Sequence, residues 1–284
     1  LYARVGNVMS NFTDFIGGGG SASFPTIFLS KSQTWVPPQD GNIMIHVIGG
    51  GGSGGSGTNL YCNSGSAAGY CKKNTLAVTT SGSFTVVVGA GGGQVRNANG
   101  IAGGTSTVAG TGLSSTLTST GGAGGATSGT TDPAAGVGSN GDVNTTGGQG
   151  GYYRGGGAVG LTGTGENGVR GERSGTGGEC DIVGDLWSST MGQIAGGRRG
   201  VSSYTYTEQA EQGPNSSSYS NAGPFSGGGR VVNQRSVDTS RTSLSQGGDA
   251  GIGGGGGAGM HSRRTDYCVS GAGGAGLVVI QYIP

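Results

Sequence analysis

Hydrophobic residues in this chain are concentrated in short segments that are rich in β-branched side chains and bounded by Gly, Pro or Ser. Four of these segments are Thr26–Leu29, Asn42–Ile48, Phe84–Val88 and Leu277–Ile283. Short apolar runs between turn-forming residues predict β-strands. No stretch shows a sustained 3.6-residue period, so the pattern predicts an all-β protein with almost no helix.

The most apolar of the four segments closes the sequence, far along the chain from the other three. Sequential strands usually lie beside one another in a sheet, but here the last strand has no neighbour in sequence. We therefore expect Leu277–Ile283 to return and pair with the N-terminal strands. The result would be a small β-sandwich from which the polar middle of the chain departs as a long excursion.

Glycine dominates that middle region. It supplies 71 of the 284 residues and stands in blocks such as Gly49–Gly52, Gly121–Gly125 and Gly253–Gly257. Because glycine has no side chain to bury and loses the most backbone entropy, such blocks must pack backbone against backbone. We expect polyglycine-II-like segments, with three residues per turn, whose N–H and C=O groups satisfy one another. Collagen is excluded, because the chain has 7 prolines and no strict Gly-X-Y period; a disordered linker is the alternative.

Charge and hydropathy exclude several classes of partner. The net charge is +1, with 10% charged residues, which gives no sign of binding to nucleic acid or to an anionic membrane. No apolar run reaches the length of a transmembrane span, so no membrane insertion is predicted. Hydrophobic residues make up 32% of the chain, so the conventional core should be small.

Two cysteines flank a short loop rich in Ser, Gly and Ala. Cys62 and Cys71 could form a disulfide that closes a ten-residue loop. Reduced thiols in a protein that folds in the cytoplasm are the alternative. The spacing does not suit a zinc site, and no metal or cofactor is predicted.

Matches to enzyme motifs lack their structural context. Ile43–Ile48 followed by Gly49–Gly55 formally fits a strand and a G-x-G-x-x-G loop, but no helix-forming sequence follows it. Ser53 within Gly51–Gly55 matches a nucleophile elbow with the same defect. His46 lies in a predicted strand and is expected to be packed there. No enzyme activity is predicted.

The order of several weak motifs along the chain forms a more specific signal. Phe24–Phe28 is followed by Thr34-Trp-Val-Pro-Pro38 and by Asn42–Ile48 with its glycine block, and the chain closes with Gly271–Tyr282. This order resembles the glycine-rich C-terminal domain of bacteriophage tail fibre and tail-tip adhesin proteins. Leu1–Gly6 also resembles the end of a tail-collar segment. The resemblance covers residues 1–60 and 245–284, and covers the middle only in style.

The resemblance implies four regions and a function. The regions are 1–23 as a connector to an upstream fibre or collar, 24–110 as sandwich strands, 111–276 as the polyglycine region with binding loops, and 277–284 as the closing strand. The implied protein is extracellular, on the virion, a homotrimer that attaches a phage tail fibre to a host polysaccharide or outer-membrane protein. The alternatives are a secreted glycine-rich protein that self-assembles into a filament, an ice-binding protein and a surface-polysaccharide hydrolase.

Aromatic and amide side chains between the glycine blocks are the expected receptor-binding residues. Tyr and Trp beside Ser, Asn and Gly offer a large contact area at a low entropic cost. The predicted residues are Trp187, Tyr204, Tyr206, Asn215, Tyr219, Asn221 and Tyr267.

Overall fold

Two five-stranded antiparallel sheets form a sandwich in the computed structural model of the protein. The structure describes residues 4–5, 8–9, 26–57, 62–128, 131–151, 156–157, 159–160, 163–165, 167–168, 232–234, 245–246, 249–261 and 268–283. These residues contain no helix, which confirms the predicted all-β class. A helix long and apolar enough to cross a membrane is likewise absent from the described ranges.

The strands are short and are numbered in chain order. They are β1 (Arg4–Val5), β2 (Val8–Met9), β3 (Thr26–Leu29), β4 (Gln33–Trp35), β5 (Gly41–Ile48), β6 (Ser56–Gly57), β7 (Tyr70–Val78), β8 (Phe84–Val87), β9 (Ser106–Gly110), β10 (Leu117–Ser119), β11 (Gly138–Ser139), β12 (Val143–Thr145), β13 (Val232–Gln234), β14 (Ser245–Gln246), β15 (Gly259–His261), β16 (Cys268–Val269) and β17 (Leu277–Ile283).

The closing strand β17 lies inside one sheet of the sandwich. The strand order of that sheet is β12-β7-β5-β17-β3, and the order of the other is β11-β10-β9-β8-β4. Val278 of β17 pairs with Val47 of β5 on one side and with Leu29 of β3 on the other. The predicted return of the last strand to the N-terminal strands is therefore confirmed.

Side chains that alternate along the strands fill the space between the two sheets. In β5 the inward residues are Ile43, Ile45 and Val47, all fully buried. The Trp35 and Phe84 rings pack against each other across β4 and β8, with centroids 5.4 Å apart and planes tilted by 47°. Tilted aromatic pairs of this kind add to the hydrophobic stabilisation that burial already gives.

Six sandwich strands lie between the predicted ones. Tyr70–Val78 pairs with β5, and β4, β9, β10, β11 and β12 complete the sheets. Sandwich strands and glycine segments therefore alternate along the chain, so that neither occupies a continuous range such as 24–110 or 111–276. The polar run in the middle of β7 hid this strand, because Lys72, Lys73 and Asn74 are partly or fully exposed.

The opposite face of β5 is also buried. His46 is fully buried there, and its Nδ1 lies 2.7 Å from the hydroxyl of Tyr70. The two rings are stacked, with centroids 6.0 Å apart. Ile48, Ala67 and Val159 form a second apolar cluster with Tyr70. His46 is thus a packed strand residue, as the sequence led us to expect.

A tight turn at Asn140–Asp142 carries the chain from one sheet to the other, because β11 belongs to one and β12 to the other. The Asp142 carboxylate accepts hydrogen bonds from Nζ of Lys73 at 2.8 Å and from the backbone N–H of Asn74 at 2.7 Å. These contacts fasten the turn to β7. They also lower the pKa of Asp142, with the Lys73 hydrogen bond as the largest cause.

This carboxylate should make stability depend on pH. The pKa of Asp142 is lower in the folded than in the unfolded chain, so its contribution is present above the unfolded pKa and is lost as the pH falls through the folded pKa. We expect Asp142→Asn to cost about 0.5–1 kcal/mol near neutral pH, since the pair is partly exposed. The cost should vanish in acid. Urea unfolding of both proteins across this pH range measures it, and a cost that persists unchanged in acid would contradict the assignment.

Candidate functional site: the polyglycine bundle and its outer end

Inner strands of the sandwich continue directly into glycine-rich segments that leave the sandwich, turn and come back as the next strand. Residues 49–57 follow β5, and residues 62–69 return into β7. Two further excursions have the same plan, namely 89–105 between β8 and β9 and 120–137 between β10 and β11, and the described residues within 253–276 add glycine segments that end at β17. The segments together form a bundle that extends the sandwich.

Serine hydroxyls fasten the junction between sandwich and bundle. The N–H of Gly49, the first residue after β5, donates to Oγ of Ser119 at 2.9 Å, and that hydroxyl donates in turn to the carbonyl of Gly69. Oγ of Ser106 accepts from the N–H of Gly89 in the same way, at 2.9 Å. Both serines are fully buried, so their hydroxyls replace water at the point where sheet pairing ends.

Residues 49–56 form the first central segment of the bundle, and their N–H groups point to three neighbours in turn. Gly49, Gly52 and Gly55 donate to residues 62–69. Gly50, Ser53 and Ser56 donate to residues 98–104, and Gly51 and Gly54 donate to residues 271–274. These hydrogen bonds measure 2.8–3.5 Å. A period of three is that of the polyproline-II helix, so the predicted three-residue turn is present.

The carbonyl groups of the first central segment face three further neighbours. Gly50 and Ser53 accept from residues 122–125, Gly51 accepts from Gly92, and Gly52 and Gly55 accept from residues 256–259. The segment is therefore surrounded on six sides, by three segments that accept from it and three that donate to it. These hydrogen bonds satisfy most of the buried backbone groups of the segment, and only Ser56 at its end belongs to a sheet strand, β6.

Residues 62–69 form a second central segment with the same pattern. Its N–H groups donate in rotation to residues 120–126, to residues 148–151 and to residues 253–256. Its sequence, Cys-Asn-Ser-Gly-Ser-Ala-Ala-Gly, holds only two glycines. Only short side chains occur, and all eight residues are buried. The Ser, Gly and Ala content predicts a loop here, whereas the uninterrupted run of short side chains is the feature that permits a packed segment.

Backbone packing in the bundle leaves no room for a Cβ atom at most glycines. A Cβ placed on Gly51 would meet the carbonyl of Gly254, and one placed on Gly65 would meet the carbonyl of Gly52, both well inside 3.0 Å. The obstructing atoms are backbone, which cannot rotate away. Among the described bundle glycines Gly253 alone has a positive φ, of 68°, so the segments have the left-handed sense of polyproline II.

Short polar side chains occupy the few gaps between segments. Oγ of Ser53 accepts from the N–H of Ile101 at 2.8 Å, and Oγ of Ser64 accepts from the N–H of Ala258 at 2.9 Å. Ser53 is fully buried, so the residue that matched a nucleophile elbow is a bundle contact. Nδ2 of Asn63 donates to the carbonyl of Thr131 at 2.7 Å.

Of the two possibilities for Cys62 and Cys71, the disulfide is not formed and both cysteines are free thiols. Residues 62–69 are extended and run straight into β7, so the two Cα atoms lie roughly 25 Å apart at about 3 Å per residue. A disulfide requires about 7 Å or less. Sγ of Cys62 donates to the carbonyl of Thr127 at 3.3 Å. Cys71 lies in the sandwich core, where burial raises the pKa of its thiol to about 11.

Described residues from the ends of several glycine segments lie together at the end of the bundle away from the sandwich, here called the outer end. Gly57 lies there near Cys62, Asn97 and Thr127, which belong to three different excursions. The parallel strands β6, β15 and β13 also run side by side at this end. Three excursions thus bring described residues from the ends of their segments close together.

The sequence-predicted receptor residues lie outside the described residues. They are Trp187, Tyr204, Tyr206, Asn215, Tyr219, Asn221 and Tyr267. The structure does describe chain that flanks them. β15 and β16 flank the segment that contains Tyr267, and β13, which follows the segment with the other six, pairs with β15.

Titratable groups are sparse in the described part of the protein. No three His, Cys, Asp or Glu side chains come together in the residues that the structure describes. Tyr282 donates its hydroxyl to the carbonyl of Gln39 at 2.9 Å, and burial raises the pKa of this phenol. Within those residues, the distinctive feature is the hydrogen-bonded backbone of the bundle.

A β-sandwich whose strands continue into a polyglycine bundle defines the structural class of this protein. The chain belongs to the family described as glycine-rich domain, whose model matches residues 26–283. That range runs from the start of β3 to the end of β17, so sandwich and bundle together make up the family's domain. A search of curated proteins found no match.

Proposed function

We propose that this protein is the receptor-binding domain of a bacteriophage tail fibre and attaches the virion to its host. The observation that carries the proposal is the meeting of segment ends from three excursions at the outer end of a hydrogen-bonded backbone bundle. The order of motifs from Phe24 to Tyr282 supports it, because that order resembles tail fibre and tail-tip adhesin domains.

A hydrogen-bonded bundle suits the presentation of binding loops. Rotation of most peptide units in residues 49–56 would break hydrogen bonds to two different neighbouring segments at once. Loops held on such a base lose less conformational freedom when they bind, which raises affinity without any additional contact. Variable loops on a fixed scaffold are a common arrangement for recognition.

The proposed receptor contacts are the aromatic and amide residues between the glycine blocks. Trp187, Tyr204, Tyr206, Asn215, Tyr219, Asn221 and Tyr267 bind a host polysaccharide or an outer-membrane protein in this proposal. The domain is not an enzyme and uses no cofactor. In the virion, residues 1–23 join the domain to an upstream fibre. The domain is a homotrimer in this proposal, and light scattering of the purified chain should give the mass of three chains.

Binding to host cells tests the proposal. Tyr204→Ala, Tyr206→Ala and Trp187→Ala should each reduce the adsorption of labelled protein to susceptible bacteria about tenfold or more, because Tyr and Trp dominate binding hot spots. Their melting temperatures should stay near that of the wild type. Thr85→Ala, at an exposed position of β8, is the control and should bind normally. Variants that lose stability but adsorb fully when folded would contradict this assignment.

The alternative function is self-assembly of a secreted protein into a filament. Both central segments are surrounded by other segments and donate nearly all their N–H groups within the chain, so a filament would have to form through peripheral segments. Electron microscopy of the purified protein separates the two functions. Discrete particles that bind cells support the receptor-binding domain, and long polymers that do not bind cells support the filament.

A further inference from the structure

Asparagine followed by glycine is the sequence most prone to spontaneous deamidation, and the chain contains three such pairs. They are Asn99–Gly100, Asn140–Gly141 and Asn167–Gly168. In this reaction the glycine nitrogen attacks Cγ of the asparagine side chain, and a C–N bond forms as the Cγ–Nδ2 bond breaks. The proton that the nitrogen gives up leaves with the amide group as ammonia. Water then opens the cyclic imide to aspartate or isoaspartate.

Each attacking nitrogen is held in a hydrogen bond. The N–H of Gly100 donates to the carbonyl of Gly125 at 2.7 Å, inside the bundle. The N–H of Gly168 donates to the carbonyl of Gln149 at 2.9 Å. A nitrogen in such a bond retains its proton and cannot turn toward the side chain that it must attack.

The side chains under attack are held as well. Oδ1 of Asn99 accepts from the N–H of Thr127 at 2.8 Å, and Oδ1 of Asn167 accepts from the N–H of Gln149 at 2.6 Å. At Asn99 and Asn167, then, both the nitrogen and the side-chain carbonyl are fixed by backbone groups. Neither pair can react unless the backbone around it moves.

Asn140 differs, because the backbone nitrogen of the glycine that follows it is hydrogen-bonded to a side chain and not to a backbone carbonyl. The N–H of Gly141 donates to Oδ1 of Asn144 at 2.9 Å, and Nδ2 of Asn144 returns a bond to the carbonyl of Gly141 at 2.8 Å. Asn140 and Asn144 are both exposed. Exposed side chains change rotamer within nanoseconds, far faster than backbone segments of a bundle separate.

We propose that Asn140 is the deamidation site of the folded protein and that Asn144 controls its rate. Each time the Asn144 side chain turns away, the nitrogen of Gly141 is freed to attack Cγ of Asn140. The amide of Asn140 donates to the carbonyl of Thr116 at 2.8 Å, and the product loses this donor. An isoaspartate would also lengthen the backbone at the turn that joins the two sheets, and would loosen that corner.

Peptide mapping by mass spectrometry, after storage of the intact folded chain at mildly alkaline pH, tests the proposal. In the wild type, Asn140 should be modified faster than Asn99 and Asn167. Asn144→Ala should raise the rate at Asn140 about fivefold, the effect of one lost hydrogen bond, and leave the other two sites unchanged. Asn144→Asp keeps an acceptor oxygen for Gly141 and should stay near the wild-type rate.

Two results would overturn the proposal. One is an unchanged rate at Asn140 in Asn144→Ala, and the other is modification of Asn99 or Asn167 as fast as Asn140 in the wild type. Asn99 and Asn167 also monitor folding in the same sample. If deamidation becomes faster at all three sites in the variant, the variant has lost its fold. The order of the three deamidation rates in the wild-type chain then decides whether the proposal holds.

Discussion

Gly51→Ala is expected to destabilise the protein by about 4 kcal/mol or more, which corresponds to a drop of about 10 °C in Tm. The new methyl group would meet the backbone of Gly253 and Gly254 well inside 3.0 Å. Relief requires the whole 253–257 segment to move, and Gly256 of that segment donates to Gly52. Thermal unfolding followed by circular dichroism measures the effect.

A glycine in another block provides the matched control. A Cβ on Gly93 would have only Cδ1 of Ile101 near it, at 4.0 Å, whereas one on its neighbour Gly92 would meet the carbonyl of Ile101 and the N atom of Ser53 inside 3.0 Å. Gly93→Ala should therefore change stability by less than about 0.5 kcal/mol, and Gly92→Ala should be strongly destabilising. Equal effects at these two adjacent glycines would contradict the packing described here.

Phe84→Ala is expected to cost about 3–5 kcal/mol, because the ring is fully buried between the sheets and packs against Trp35. Truncation removes the aromatic contact and leaves a cavity that the surrounding strands cannot fill. Val87→Ala is the control in the same strand. Its side chain points to solvent and is 40% exposed, so its cost should stay within about 0.5 kcal/mol.

Urea unfolding of the two β8 variants measures this difference directly. The predicted order places Phe84→Ala far below Val87→Ala in free energy of unfolding. Similar losses at the two positions would contradict the assignment of Phe84 to the core and of Val87 to the solvent face.

Local patterns predicted the ends of the sandwich well. Thr26–Leu29 and Leu277–Ile283 form strands with the predicted bounds, since their apolar side chains need a sheet to cover them. β7 was missed for two physical reasons. Its middle residues are solvent-exposed, and a β-bulge between Ile43 and Ile45 shifts its register against β5. Neither feature gives a regular alternation in sequence.

The sequence predicts the conformation of the glycine segments but not how the segments are arranged around one another. Glycine blocks indicated polyglycine-II segments, yet nothing local marks residues 49–56 as central or as surrounded on six sides. That position depends on hydrogen bonds to segments as far away as residues 271–274. Residues 62–69 are not predicted as a packed segment because they hold few glycines. Packing there requires only short side chains, and Ser64 and Ala67 meet that requirement.

The candidate site could be predicted only in outline. Composition suggests which aromatic residues could bind a receptor, but it carries no information about where a loop meets its scaffold. The meeting of segment ends at the outer end follows from the lengths of paired segments, such as 49–57 with 62–69. The lengths of these segments can be read from the sequence only when it is known which segments pair with each other.

Amide hydrogen exchange of residues 49–56 and 62–69 tests the central claim most directly. If each N–H group is donated to a neighbouring segment, these amides should exchange as slowly as those of β5 and β17 in the sandwich. The bundle then opens only with the whole domain. Exchange in seconds at residues 49–56, while the sandwich strands stay protected, would show that the glycine segments are not a hydrogen-bonded bundle.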